Sequence, residues 1–102
     1  MGWANDAALA LSNGARCEVR PRGGSMRGLI EDNQLVTIAP VDPAEVEAGD
    51  VVMVRWRGGY LLHLVKQVDP ERVLIGNNLG RTNGWAPRRD VLGRVVGING
   101  VS

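Results

Sequence analysis

The stretch Gly49-Asp50-Val51-Val52-Met53-Val54-Arg55-Trp56-Arg57-Gly58-Gly59-Tyr60-Leu61-Leu62-His63-Leu64-Val65-Lys66-Gln67-Val68 decides the fold. Two apolar, β-branched runs, Val51 to Trp56 and Tyr60 to Val68, flank Arg57-Gly58-Gly59, a glycine-bearing connection of hairpin length. Side chains alternate along a strand. Leu61, His63 and Val65 therefore share one face of the second run, while Leu62, Leu64 and Lys66 share the other. His63 and Lys66 point opposite ways unless a bulge intervenes.

Working outward, Asp42-Pro43-Ala44-Glu45 before the hairpin reads as a helical turn or two, with Asp42 as N-cap, Pro43 at the first helical position and Gly49 as the stop. Leu35 to Ile38 is a short strand stopped by Pro40, and Asp6 to Leu11 is a helix-prone run that ends at Asn13-Gly14. Beyond the hairpin, Asp69-Pro70 turns the chain into a strand over Arg72 to Ile75. Gly76 to Pro87, rich in Asn and Gly, reads as loop. Val91 to Ile98 is a last strand in which Gly93 and Gly97 mark bulges or close backbone approach. About five short strands with one or two short helices predict an all-β domain, a small coiled sheet or barrel. Residues 1–15 read as an N-terminal arm or short helix and residues 16–102 as one β domain.

Composition agrees with that class. A chain of 102 residues, 44% hydrophobic and 23% charged, supports one core, and 14 glycines with 5 prolines and no Phe favour turns and strands over long helices. The net charge of +1 hides an uneven distribution: residues 1–30 carry +2, residues 31–50 carry six acids and no base, and residues 51–102 carry +5. The arginines at 16, 20, 22, 27, 88, 89 and 94 are offset by that acidic block, which argues against nucleic acid as a partner. One cysteine, Cys17, and one histidine, His63, leave no internal disulfide and no four-ligand metal site, so neither metal nor cofactor is expected. No apolar run approaches the roughly 18 to 20 residues of a bilayer span, so no membrane association is expected and the cytoplasm is the default location.

Chemistry enters at Ser25 and His63. Gly23-Gly24 before Ser25 lets the backbone take a tight path that exposes a hydroxyl and frees backbone N–H groups for an oxyanion. Taken singly, a serine after two glycines is more often a loop residue, and a histidine in an apolar strand more often a core residue. Taken together with Asp32-Asn33-Gln34-Leu35-Val36, Gly49-Asp50-Val51-Val52, Leu62-His63-Leu64-Val65, Gly76-Asn77-Asn78 and Gly93-Arg94-Val95, the run Gly24-Ser25-Met26 resembles the signal peptidase I and SOS-repressor-type serine peptidases over most of residues 20–98.

The resemblance implies a coiled-β peptidase domain in which Ser25 is the nucleophile and the base lies on the second strand of the hairpin. Counted from Gly49, that base is His63, which aligns the chain with the histidine branch; Lys66 falls late and becomes the base only if the register slips. It further implies an oxyanion site at the backbone of Gly24 and Ser25, a substrate groove along Met26, Leu61 and Val65, and a protein or peptide substrate bound as an added strand. Ala8-Leu9-Ala10 has the small-residue character expected around a scissile bond. A homodimer is left open.

The acids that orient the base in the histidine branch are here Asn77 and Asn83. An amide accepts a hydrogen bond from imidazole but does not stabilise imidazolium as a carboxylate does, and the equivalent change in a catalytic triad costs about 10⁴ in rate. Two readings follow. One is a serine endopeptidase for limited cleavage or maturation of a protein; the other is an inactive peptidase-fold module that binds a peptide or partner.

Overall fold

The structure, a computed structural model, describes residues 3–22, 26 and 28–99. Among the described residues, seven strands form one antiparallel sheet in the order β1-β2-β7-β3-β4-β5-β6. The strands are β1 (Cys17–Val19), β2 (Val36–Pro40), β3 (Val51–Trp56), β4 (Gly59–Val68), β5 (Arg72–Gly76), β6 (Thr82–Pro87) and β7 (Val91–Ile98). One helix, α1 (Trp3–Ser12), packs on the sheet through Ala7, Ala8 and Leu11. The molecule is mainly β with little helix, and among the described residues no helix is long and apolar enough to cross a membrane.

The β3–β4 hairpin is the centre of both cores. Val51 pairs with Leu64 and Trp56 with Gly59 in unbroken register. Alternation then sends Met53, Leu62 and Leu64 towards a first core with α1, Val36, Ile38, Met26 and Ile30, and Val52, Val54, Leu61 and Val65 towards a second with Val46, Val73, Ile75, Ala86 and Val91. A strand covered on both faces reads as a near-continuous apolar run, which is how residues 51–65 read.

Loops at the sheet's ends are tied by side chains. Asp42 accepts the Ala44 N–H at 3.0 Å and starts a single 3₁₀ turn, Pro43–Glu45. Arg88 donates to the carbonyls of Asp69, Pro43 and Val46 at 2.8 to 2.9 Å, fastening the end of β6 to the segment before β3.

Two strands go beyond the sequence expectation. Cys17–Val19 is only three residues long, and Thr82–Pro87, expected as loop, pairs with β5 from Arg72↔Pro87 to Gly76↔Thr82. Its Asn, Gly and Pro are poor strand formers, so pairing and the burial of Ala86, not propensity, hold it. Asn83 is the residue skipped where the register shifts between Ile75 and Gly76, and Pro87 is tolerated because β6 is an edge strand.

The hairpin tip is a two-residue turn, Arg57 at φ 48° and Gly58 at φ 81°. Positive φ at both positions marks the turn type that prefers Asn-Gly, and a long side chain at the first position is strained. Arg57→Asn is expected to raise stability by about 0.5 to 1 kcal/mol, seen as a higher urea midpoint with an unchanged slope.

Candidate functional site

His63 lies on a stretch of β4 that has a free edge. β5 pairs with β4 only from Val68↔Val73 to Leu64↔Gly76, so Gly59 to His63 have β3 on one side and no strand on the other. Val65 donates its N–H to Asp50 and accepts from the Gly49 N–H, both on the β3 side. Alternation therefore turns the N–H and C=O of Leu62 and Tyr60 towards the open side, the side on which Leu64 already meets β5.

A cavity of about 150 Å³ occupies this edge, bordered by Tyr60, Leu61, Leu62 and His63 together with Trp3, Pro21, Arg22, Met26, Ile30 and Glu31. Because it sits at an edge, residues from both faces of β4 border it.

The described residues of the segment opposite β4 are tied in place. Asn33 donates to the Pro21 carbonyl at 2.8 Å and Arg20 donates to the Asn33 carbonyl at 3.0 Å, closing the base of the loop. Met26 and Ile30 are buried in the first core, the Met26 carbonyl accepts the N–H groups of Leu29 and Ile30, and the Glu31 carboxylate accepts the Gly28 N–H at 2.7 Å. Gly28 has φ 98°, and a Cβ there would lie 2.8 Å from the Asn78 side chain, so this loop and the β5–β6 connection abut. Ser25 and Gly24, expected as nucleophile and oxyanion donor, lie outside the described residues. Met26, the next residue in the chain after Ser25, borders the same cavity as His63.

The His63 ring is half-buried, and its Nδ1 lies 2.6 Å from the Leu62 carbonyl oxygen. A carbonyl only accepts, so Nδ1 carries the proton and the neutral ring keeps its lone pair on Nε2. That is the tautomer a general base needs. The Leu62 carbonyl reaches the ring because β5 does not pair there.

The other expected site residues fall in different places. Leu61 borders the cavity; Val65, expected beside it, is fully buried in the second core and takes no part in the lining. Asn77 spends its Oδ1 on the N–H groups of Leu79 and Arg81, both at 2.9 Å, which makes it a turn former with no bond to His63. Asn83 has a buried Oδ1 with no hydrogen-bond partner. Lys66 is the unpaired residue at the register shift between Val65 and Gln67, and its stem runs beside Gly76, away from the cavity lining. Ala8-Leu9-Ala10 lies inside α1 with Ala8 buried, a helical segment that cannot add to a sheet edge without unfolding. Burial pushes the Cys17 thiol up, so it stays protonated and unreactive at neutral pH.

Trp3, Ile30 and Glu31 border the site without having been singled out from sequence. Among the described residues, no group of three or more His, Cys, Asp or Glu side chains gathers to hold a metal ion.

Asn77→Ala, which removes the acceptor for two backbone N–H groups, is expected to cost about 1 to 2 kcal/mol. Asn77→Asp keeps both bonds and is expected to leave stability and any active-site labelling unchanged. Urea unfolding of the two variants reads the difference.

The fold and edge define a mainly β protein with a half-open hairpin strand beside a histidine. Comparison with protein-family models, with curated proteins and with solved structures finds no match to this chain.

Proposed function

We propose that this chain is a serine endopeptidase of the signal peptidase and SOS-repressor type, cleaving a protein substrate with Ser25 as nucleophile and His63 as general base. The observation that supports it most is the cavity shared by His63 and Met26 at the open edge of β4, with the His63 lone pair left on Nε2 by the Nδ1–Leu62 bond. An extended substrate segment beside Gly59 to His63 finds the N–H and C=O of Tyr60 and the N–H of Leu62 turned towards it, with the Leu62 carbonyl kept by the His63 ring, the arrangement of β-addition.

The chemistry follows from those groups. The Ser25 hydroxyl attacks the scissile carbonyl carbon while Nε2 takes its proton. The tetrahedral intermediate then expels the amine, which receives that proton from the imidazolium. Water, deprotonated by the same nitrogen, attacks the acyl-serine and releases the new carboxyl end and the free serine. Backbone N–H groups at Gly24 and Ser25 are the oxyanion donors in this reading. During both steps the imidazolium is held by the Leu62 carbonyl, a neutral acceptor where triad enzymes use a carboxylate, so turnover is slow.

A second reading, a binding module without turnover, draws on the same weakness, because Asn77 is committed to its own turn and supplies nothing to the ring. Labelling by a fluorophosphonate separates the two.

A further inference from the structure

Three of the chain's four aromatic residues gather on one surface at the hairpin tip. Tyr60, Trp56 and Trp85 line two adjoining hollows of about 380 and 240 Å³ that share Arg55, Trp56, Arg57 and Asp90. The Trp56 ring lies on Gly84, whose missing side chain leaves the space: a Cβ there would sit 3.1 Å from the ring. The Arg57 guanidinium stands 5.6 Å over Trp56 and the Arg72 guanidinium 4.7 Å over Trp85, which is 38% exposed. Arg72 is paired with Asp69. Arg55 and Arg57 are exposed and, among the described residues, have no acid within ion-pair distance.

We propose that this groove, running from Tyr60 past Trp56 to Trp85, docks an acidic, extended segment of a protein partner whose carboxylates are taken by Arg55 and Arg57. Naming that partner as the protein cleaved beside His63 rests on the peptidase reading; the docking itself does not. Three observations argue for this occupant. Charge is complementary, since the lining carries two unpaired cations, Arg55 and Arg57, against a single acid, Asp90. The two sites are neighbours, because Tyr60 borders both this groove and the His63 cavity. The backbone is available, because β7 pairs with β3 only as far as Val54↔Val91, leaving Arg55 and Trp56 beyond its end.

The stacked Arg57, whose fork is not taken as that of Arg72 is, also favours carboxylates over nucleobases. A guanidinium lying over a ring covers the face a base would use, while its N–H fork projects in its own plane, where a carboxylate docks. The strained φ of Arg57 fits the same account: a turn that Asn would relax keeps an arginine instead.

The test uses the full chain carrying Ser25→Ala, so that nothing is cleaved, and a fluorescein-labelled peptide of about eight residues alternating Glu and Thr, titrated by fluorescence anisotropy. Saturable binding that weakens about tenfold in R55E/R57E and falls with added salt is expected. Both arginines are exposed, and R55Q/R57Q, expected to weaken binding less, guards against a change in fold. Equal binding of the Lys-Thr counterpart, no saturable binding of the Glu-Thr peptide, or tighter binding of a short oligo-dT by the same surface would each overturn the proposal. Failure here with fluorophosphonate labelling of the wild type intact leaves the peptidase reading standing, and the reverse leaves the docking groove standing.

Discussion

A fluorophosphonate probe is expected to label Ser25 in the folded protein, and His63→Ala to slow that labelling by about 10² to 10⁴, the usual worth of a positioned general base. The reason lies in the ring's tautomer. With the Nδ1 proton fixed on the Leu62 carbonyl, removing the ring deletes the only imidazole in the chain, and no other described side chain bordering the cavity is a base of comparable strength at neutral pH. His63→Ala removes a half-buried side chain at a strand edge, so its fold is checked by an unchanged unfolding slope. Lys66→Met serves as the companion variant. It is expected to label like the wild type, because Lys66 sits at the β4 register shift beside Gly76 and not in the cavity lining. Loss of labelling in Lys66→Met but not in His63→Ala would move the base to the lysine. Absence of labelling in a folded wild-type protein between pH 6 and about 10 would remove the enzyme reading and favour the binding module.

Mass spectrometry of the labelled protein decides between Ser25 and any other hydroxyl. The rate constant also bears on the missing acids. Because the orienting acceptor is a backbone carbonyl, no side-chain substitution deletes it, and installing a carboxylate at Asn77 is not expected to speed labelling, since that side chain is turned to Leu79 and Arg81.

Much of this arrangement was written in residues 49–68, and the rest was not, for identifiable physical reasons. The hairpin was legible because its apolar runs and glycine turn are local signals, and α1 because a compatible composition ends at Asn13-Gly14. Thr82–Pro87 was not, since its strand state comes from pairing with β5 and its own residues favour a loop. The alternation along β4 correctly separated Leu61 and Val65 from Leu62 and Leu64. It could not say that β5 would leave β4 at Leu64, and that departure is what opens the edge where His63 lies and brings residues of both faces to one cavity. Val65 shares a face with His63 yet falls on the covered side of that departure. Nor could residue type distinguish an orienting amide at Asn77 from a turn-forming one, since both uses ask for the same side-chain oxygen.

Gly93→Ala is expected to be strongly destabilising, at about 2 to 4 kcal/mol. Gly93 sits on β7 between Pro40 of β2 and Met53 of β3, so the strand has neighbours on both sides and cannot move away from either. A Cβ there would lie 2.6 Å from the Ala39 carbonyl oxygen, 2.9 Å from Leu11 Cδ2 and 3.0 Å from Ile38 Cγ2. The first of these atoms is backbone held in the β2·β7 ladder, and the other two belong to side chains buried in the first core. Relief requires either opening the ladder or lifting α1 off the sheet. Set against a typical stability of about 5 to 15 kcal/mol, such a loss is large. Gly59→Ala is the control: its Cβ would meet nothing closer than the Trp56 carbonyl at 3.8 Å, and it is expected to change stability by no more than about 0.5 kcal/mol. Urea unfolding of both variants gives the comparison, and a Gly93→Ala midpoint equal to wild type would contradict the close approach of β2 to β7. The consequence reaches the site as well. Leu11 is on the helix that carries Trp3 to the cavity, so a methyl at Gly93 is expected to loosen α1 and slow the labelling of Ser25, with His63 and its Leu62 bond left untouched.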